Sequence, residues 1–314
     1  MASPGKTSLR IGIDTGGTFT DIVSVDAATG AMRVTKVAST PSNPAIGLVR
    51  GVNAVLAAGG AEAGDVVGLA HGTTVATNAL LQGEIRSLGL IVTEGFRHIL
   101  EIARQSVPEG YGNSYFWVKP DRLVPLQYVR EAGGRVTFRG EELRPLDEAS
   151  VREAARFFRR QNVQAIGICL MHSYANDAHE RRVAEIVLEE YPGATLSLSC
   201  VVLPEYREYE RAVTTLVDAF VKPHMDRYLK RINDELGPAL RDKPFLIMQS
   251  SGGVASASQV VKKPIMTALS GPAPAAPNSS AAMMQRIGDQ RAKITSATAI
   301  KPWPDDRPWF HEPG

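Results

Sequence analysis

The side chains best suited to chemistry are concentrated in one short stretch near the N-terminus, Asp14-Thr15-Gly16-Gly17-Thr18-Phe19-Thr20-Asp21. Apolar runs flank this stretch, a pattern typical of a β-hairpin that turns at the glycine pair. Glycine lets the backbone approach a ligand closely, and adjacent N–H groups and threonine hydroxyls can donate to phosphate oxygens. Two aspartates beside such a site could hold Mg²⁺ through its waters. The alternative is a tight hairpin built from ordinary turn residues.

Two further polar stretches each follow an apolar run. His71-Gly72-Thr73-Thr74 comes after the run at 66–70, with Asn78 four residues beyond, and Ser250-Ser251-Gly252-Gly253 follows the run at 245–249. A strand, a polar turn and a helix together present polar groups at the end of the strand. We therefore expect both stretches to open onto the same cleft as the first loop. For His71 the alternative is a structural role, with the ring satisfied by an internal hydrogen bond.

Apolar periodicity predicts the elements that must position these stretches. A hairpin and a third strand are predicted over 9–37, followed by strands at 66–70, 87–92, 163–171, 195–202 and 245–249. Helices are predicted at 45–58, at 147–160 with Asp147 as the N-cap, at 179–190, and from 203 to 236 with a break near Pro223. The continuous apolar run at 163–171 indicates a central strand, buried on both faces.

The composition is that of an ordinary globular protein. The chain has 314 residues, 44% of them hydrophobic, and a net charge of +2, which gives no reason to expect nucleic acid or an anionic membrane as a partner. Cys169 and Cys200 lie within apolar runs without a Cys-x-x-Cys spacing, so reduced, buried thiols are expected. No apolar run approaches the length of a membrane span, and the N-terminus lacks a signal core. We expect a cytoplasmic protein.

Several motifs, in this order, resemble the hydantoinase A and 5-oxoprolinase family, which lies within the actin, Hsp70 and sugar-kinase superfamily. The glycine spacing fits neither a Walker loop nor a dinucleotide fingerprint, and no lysine follows. The similarity extends over about residues 9–273. The motifs that carry it are Asp14–Asp21, the His-Gly-Thr-Thr stretch with Asn78, the loop Thr93-Glu94-Gly95-Phe96, the segment 203–211, and Ser270-Gly271-Pro272-Ala273.

The resemblance implies an α/β, ribonuclease-H-like lobe, led by three antiparallel strands, and the start of a second lobe. On this basis we predict a leader at 1–8, an N-terminal lobe at 9–202, the start of the second lobe at 203–273, and a divergent, proline-rich tail at 274–314. The family carries a second Asp-x-Gly-Gly-Thr loop, and these 314 residues contain none. We therefore expect the isolated chain to bind ATP weakly or not at all and to turn over nothing.

The resemblance also implies a mechanism, in which ATP with Mg²⁺ activates a carbonyl by phosphorylation. Asp14 would organise the metal and its waters, with Asp21 in support, and the reacting group would face His71, Thr74 and Asn78. The residues implied in cofactor binding are Thr15, Gly16, Gly17, Thr18, Thr20, Gly72, Thr73, Gly252 and Gly253. Cyclic amides such as hydantoins or 5-oxoproline would be opened by hydrolysis, and ketones would be carboxylated.

Other functions stay open at this point. The chain could be a subunit of an acetone- or acetophenone-type carboxylase, a non-catalytic remnant, or a sugar or acid kinase. The family resemblance implies a second, hydantoinase B-like subunit or a homo-oligomer as the partner. The sequence does not name the substrate.

Overall fold

A computed structural model describes residues 8–40, 43–82, 87–104 and 122–268. Residues 1–7 of the predicted leader and the segment from 269 onward, which includes the Ser270–Ala273 motif and the predicted tail, lie outside the described residues. Within those ranges the β-strands are β1 Leu9–Thr15, β2 Phe19–Asp26, β3 Met32–Ala38, β4 Val66–Thr73, β5 Leu88–Thr93, β6 Val129–Ala132, β7 Arg135–Val136, β8 Glu142–Arg144, β9 Ala165–Cys169, β10 Thr195–Leu198, β11 Phe245–Met248 and β12 Val254–Ser256.

The α-helices of the same ranges alternate with these strands. They are α1 Pro44–Gly59, α2 Val75–Gln82, α3 Ile99–Ile102, α4 Glu148–Arg160, α5 Ala178–Glu190, α6 Ser199–Val202, α7 Glu208–Glu235, α8 Pro238–Arg241 and α9 Ala257–Lys262. The predicted helix cap is confirmed, because the Asp147 side chain accepts a hydrogen bond from the Ala149 amide. None of these helices is long and apolar enough to span a membrane.

The first sheet has six strands in the order β12-β11-β4-β1-β2-β3. The three leading strands form an antiparallel meander, as predicted, while β4 and β11 run parallel to β1. Ile11, Ile13 and Ile22 are buried on the face that α1 covers. Because side chains alternate along a strand, Asp14 and its cross-strand partner Asp21 lie on the other face.

The second sheet is entirely parallel, in the order β10-β9-β5-β6. Ile91, Ile166 and Ile168 pack in one buried cluster with α4 and α5. Leu90 and Val92, which point the opposite way along β5, belong to the other cluster, which includes α7. The sheet is therefore covered on both faces, which explains why its strands read as continuous apolar runs.

Helix α7 lies between the two sheets. It packs on β9 and β10 on one side and on α1 and α2 on the other. Its buried Asp218 accepts hydrogen bonds from the Ser197 hydroxyl at 2.7 Å and from the Ile265 amide at 3.0 Å. Lys222 lies 3.5 Å from the same carboxylate. One helix thus fixes the second sheet relative to the first.

Two predicted boundaries are wrong. Residues 199–202 form a helical turn rather than the end of a strand, because the buried Glu180 carboxylate accepts from the Ser199 hydroxyl at 2.6 Å and the Cys200 amide at 2.9 Å, which bends the chain. Helix α7 also continues through Pro223 without a break. Buried side chains on both sides of the proline, including Val221 and Met225, hold the helix together despite the missing N–H.

The strand β4 is longer than predicted. Residues 71–73 continue the strand and pair with residues 13–15 of β1, so the turn begins only at Thr74. The proposed boundary between lobes at 202/203 stays a prediction.

The close approach of β5 to α4 predicts an effect of mutation. A Cβ atom on Gly89 would lie 2.5 Å from Cε1 of Phe158, whose ring is fully buried. We expect Gly89→Ala to lower the free energy of unfolding by about 1–3 kcal/mol through overpacking. The matched control is Gly68→Ala in β4, where the nearest atom, the Pro244 carbonyl oxygen, would be 3.7 Å away. Urea denaturation of both variants tests this, and equal stabilities would contradict the packing argument.

Candidate active site

A cavity of about 580 Å³ lies where the β1–β2 turn, the start of α2 and the middle of α7 meet. Two of the three predicted polar stretches, Asp14–Asp21 and His71–Asn78, contribute some of their residues to it, and α7 supplies a wall that was not predicted from the sequence. The lining residues are Thr15, Gly16, Gly17, Ser39, Thr40, Pro44, Thr74, Val75, Asn78, Ala79, His224, Arg227, Tyr228 and Arg231.

The β1–β2 turn presents backbone amides without internal partners. Its Gly16 amide donates to the Phe19 carbonyl at 3.0 Å, which closes the turn. The Gly17 and Thr18 amides donate no hydrogen bond within the described part of the chain. A Cβ on Gly17 would meet nothing within 4 Å, so the space beside this amide is open. Thr18 itself belongs to the turn but not to the cavity lining.

Ser39 holds the turn from behind. Its hydroxyl donates to the Gly16 carbonyl at 2.8 Å, and its amide donates to the Thr18 carbonyl at 2.9 Å. The Thr20 hydroxyl is fully buried and lies 2.9 Å from the Ser39 hydroxyl. The structure therefore places Thr20 in support of Ser39 rather than on the cavity wall, where the sequence analysis expected it to meet phosphate.

The start of α2 is tied to the same turn. Thr74 donates through its hydroxyl to the Thr15 carbonyl at 3.3 Å, and the Asn78 side-chain amide donates to the Thr74 hydroxyl at 3.3 Å. Thr73 is buried at the end of β4 and accepts from the Val75 amide at 3.2 Å. Thr15, Thr74 and Asn78, predicted from separate motifs, thus meet at one cavity.

His71 lies behind this wall instead of on it. The ring is fully buried, and its Nε2 lies 2.6 Å from the hydroxyl of Tyr228, which does line the cavity. Burial lowers the pKa of His71 to about 4, so the ring is neutral at pH 7. Burial also raises the pKa of Tyr228, an effect that the nearby Thr73 and Thr15 hydroxyls offset only in part. Any influence of His71 on a ligand is exerted through Tyr228.

Asp14, Asp21 and Gly72 form a separate group on the opposite face of the sheet, in one row of cross-strand neighbours. Burial and the negative charge of Asp21 raise the pKa of Asp14. Gly72 makes room for this carboxylate, because a Cβ there would lie 3.2 Å from Asp14 Oδ1. Lys36 lies 3.1 Å from Asp21 and neutralises part of its charge. None of the three residues lines the cavity.

The Ser250–Gly253 stretch is the turn of the β11–β12 hairpin. The Gln249 amide donates to the Gly253 carbonyl at 2.8 Å, and Gly252 has a φ of 80°, which favours glycine. Gly252 and Gly253 are not among the cavity-lining residues, so this prediction of a shared cleft is not met by that cavity.

The sequence analysis missed the α7 wall. His224, Arg227, Tyr228 and Arg231 follow the spacing of one helix face, and that periodicity of polar residues was the only available signal. Ser39 and Thr40, which precede α1, were missed as well.

Two buried oxygens near the cavity, Thr15 Oγ1 and Asn43 Oδ1, make no well-formed hydrogen bond within the described residues. Buried polar atoms of this kind need a water or a ligand as partner.

The depressed pKa of His71 predicts a pH dependence of stability. In the unfolded chain His71 has the ordinary histidine pKa of 6.5, whereas in the folded chain its pKa is about 4. Between these values the unfolded chain binds a proton that the folded chain does not, so the free energy of unfolding decreases as the pH falls from 6.5 to 4. Relative to His71→Gln, the wild-type chain should lose about 3 kcal/mol more of its free energy of unfolding between pH 7 and pH 4. Denaturation curves across this range measure the difference. Parallel pH profiles for the two proteins would contradict the assignment.

Comparison with known proteins identifies the family. The model of the hydantoinase/oxoprolinase N-terminal region matches residues 10–191, and the hydantoinase/oxoprolinase model matches residues 211–294. The chain is 34% identical to caprolactamase subunit alpha of Pseudomonas jessenii over 90% of its own length and 41% of that protein. It is 33% identical to the acetophenone carboxylase gamma subunit of Aromatoleum aromaticum over 78% of its length and 35% of that protein.

A solved structure supports the same conclusion. Nucleotide-free acetone carboxylase superposes with a TM-score of 0.77 at 26% identity, over 90% of this chain and 41% of that one. The chain therefore spans less than half the length of the relatives and the structure it matches. Its fold is mixed α/β, with parallel and antiparallel strand pairs. On the evidence of the matching family models, the chain belongs to the hydantoinase/oxoprolinase family.

Proposed function

We propose that this chain supplies a phosphate-binding lobe for ATP-dependent activation of a carbonyl in a cyclic amide of the hydantoin or 5-oxoproline type. The observation that carries this proposal is the cavity in which the free amide of Gly17 meets Thr74 and Asn78. The whole reaction is proposed for the protein together with any second subunit, since relatives of this chain are named as subunits.

The strand order supports a ribonuclease-H-like assignment for the first sheet. An antiparallel meander, β3-β2-β1, is followed by β4 and β11, both parallel to β1, with α1 packed against the meander. We infer that this sheet is the lobe that the superfamily uses to grip phosphate through its first hairpin. In this assignment the β1–β2 turn and the start of α2 lie at the same edge, because β1 and β4 are parallel neighbours.

The residues at that edge fit a phosphate group. Gly17 and Thr18 offer amide donors that no internal acceptor uses. The N-terminus of α2 adds the positive end of a helix, where Thr74 and Asn78 present side chains. The buried hydroxyl of Thr15, which makes no well-formed hydrogen bond among the described residues, is a further donor. These groups are all uncharged hydrogen-bond donors, so the negative charge of a bound phosphate would have to be balanced by a cation.

The residues also fit one Mg²⁺ held largely by water. The described part of the chain has no cluster of three or more metal-ligating side chains, which excludes an all-protein cage there. Asp14 and Asp21 face each other across the antiparallel pair, and their mutual repulsion contributes to the raised pKa of Asp14. Since Asp21 already pairs with Lys36, Asp14 is the carboxylate left for a metal, which would lie at the same end of β1 as the turn but on the face of the sheet opposite the cavity. Mg²⁺ commonly uses one or two carboxylates plus waters and phosphate oxygens.

Bound Mg-ATP would supply the phosphoryl group that makes an amide carbonyl reactive. The chain's own part is positioning, which is the main source of catalysis in phosphoryl transfer. The Asn78 side chain and the Thr74 hydroxyl, already hydrogen-bonded to each other, are placed to orient a carbonyl oxygen at the cavity wall. Tyr228, held by neutral His71, closes the cavity floor with a phenol that stays protonated at pH 7.

A second candidate function is supported by the comparisons. Relatives of the chain include carboxylase subunits, so the same carbonyl activation could serve carboxylation of a ketone. Phosphate release by the assembled enzyme separates the two. Stimulation by cyclic amides without bicarbonate supports the hydrolase, and stimulation by ketones that depends on bicarbonate supports the carboxylase.

The phosphate site is tested by a matched pair of glycine substitutions. Both Gly17 and Gly64 have nothing within 4 Å of an added Cβ, and neither has a positive φ, so Gly17→Val and Gly64→Val should both fold normally. Only the side chain at position 17 would occupy the space beside the free turn amides. We expect Gly17→Val to weaken Mg-ATP binding at least about tenfold, equivalent to about 1.4 kcal/mol, and Gly64→Val to leave it unchanged.

Because the isolated chain is expected to bind weakly, nuclear magnetic resonance titration into the millimolar range is the appropriate measurement. Thermal unfolding of both variants controls for folding. Wild-type affinity in Gly17→Val would remove the basis of the proposal.

A further inference from the structure

We propose that the outer edge of the first sheet, strand β3, is the surface at which two copies of this chain pair. The two β3 strands would run antiparallel across a two-fold axis, with Thr35 of one copy opposite Thr35 of the other, and would join two six-stranded sheets into one. No residue of β3 lines the cavity, so this inference does not depend on the proposed function.

The first observation is a contrast between the edges of the two large sheets. Strand β3 has seven residues, pairs with β2 along its whole length without a bulge, and has no second neighbour among the described strands. The other edge strands of these sheets, β12, β10 and β6, have only three or four residues each. Helix α9 packs on β12, and in β10 the Lys222 side chain donates to the Leu196 carbonyl at 2.8 Å. A long edge strand without such protection is a template for pairing with another chain.

The second observation is an exposed apolar strip along this edge. Met32 and Val34 are 52% and 66% exposed, although both lie within a regular strand. Phe19, at the start of β2, is also exposed and lies on the same face of the sheet, because it pairs with Ala38. Pairing of β3 with a second strand would cover part of this strip.

The third observation is that the two cations of β3 are directed away from its free edge. Lysine and other charged residues on edge strands commonly block such pairing. Lys36 instead lies 3.1 Å from Asp21 and 5.4 Å from the centre of the Phe19 ring, both of which belong to β2. Arg33 packs against the C-terminal end of α1, since a Cβ on Gly59 would lie 3.4 Å from its Nη1. Both charges are therefore held by neighbouring elements of the same chain.

The positions of these two cations also select the register. Two-fold antiparallel pairing places one residue of the strand opposite itself and keeps each side chain on its own face. Centring on Arg33 or Lys36 would set like charges directly opposite each other, which is destabilising. Centring on Val34 avoids this but pairs only residues 32–36 of the strand.

Centring on Thr35 avoids the like charges and uses all seven residues of β3. It sets the two Thr35 side chains opposite each other, which is a favourable cross-strand pair. Lys36 then lies opposite Val34 of the other copy, so its aliphatic stem can cover that exposed side chain. A second copy of the chain thus fits this edge without a like-charge contact.

Sedimentation velocity of the full chain tests the proposal with two substitutions at one exposed position. In the proposed register, residue 34 of each copy faces Lys36 of the other. Val34→Lys therefore sets like charges opposite each other twice in the dimer, whereas Val34→Glu sets opposite charges there. We expect the wild-type chain and Val34→Glu to dimerise. The dissociation constant of Val34→Lys should be at least about tenfold higher than that of Val34→Glu, and this difference should shrink as salt is added.

Two further measurements control for folding and locate the interface. Because Val34 is exposed, both variants should fold, and thermal unfolding followed by circular dichroism checks this. Amide hydrogen exchange within β3 of the wild-type chain should slow as the protein concentration rises. A wild-type chain that stays monomeric into the millimolar range, or β3 exchange that is independent of concentration, overturns the proposal. Equal dissociation constants for the two variants would rule out pairing centred on Thr35.

Discussion

The candidate site depends on the register between two parallel strands. Pairing of Asp14 with Gly72 and of Thr15 with Thr73 brings the β1–β2 turn beside the start of α2. A shift of one residue would send every side chain of β1 to the opposite face. Burial of Ile11 and Ile13 under α1 prevents that shift, because it would expose both isoleucines and bury Asp14. The apolar pattern of one strand therefore determines which side chains face the cavity and which lie with Asp14 on the other face of the sheet.

Helix α7 adds a wall to this edge of the sheet and so forms the cavity. It is anchored far from the cavity, where Asp218 binds Ser197 and the Ile265 amide. Nearer its C-terminal end the same helix supplies Tyr228 and the two arginines of the cavity wall. Because the helix also packs on the second sheet, that sheet helps to fix the position of the α7 residues at the site. The contact between Tyr228 and His71 joins α7 to the first sheet.

Much of the fold could be predicted because the apolar periodicity is strong. The leading hairpin, the buried strands and the Asp147 cap follow from local pattern and capping chemistry. The turn glycines and Thr74 with Asn78 were predicted as site residues, and the structure brings them to one cavity. The burial of the Thr20 hydroxyl away from the cavity could not be predicted, since it depends on a contact with Ser39, which lies outside the hairpin. The α7 wall begins at His224, about 150 residues after Asn78 in the sequence. Only the tertiary packing brings it to the cavity.

The central claim is that the free amides of the β1–β2 turn bind phosphate in this cavity. The most direct measurement is the change in backbone amide chemical shifts when Mg-ATP is added to ¹⁵N-labelled protein. The account predicts that the largest changes fall on Gly17 and Thr18 and on the first turn of α2. Changes confined to another part of the chain, such as the cavity beside Arg130 and Asp147, with the turn unaffected, would contradict it.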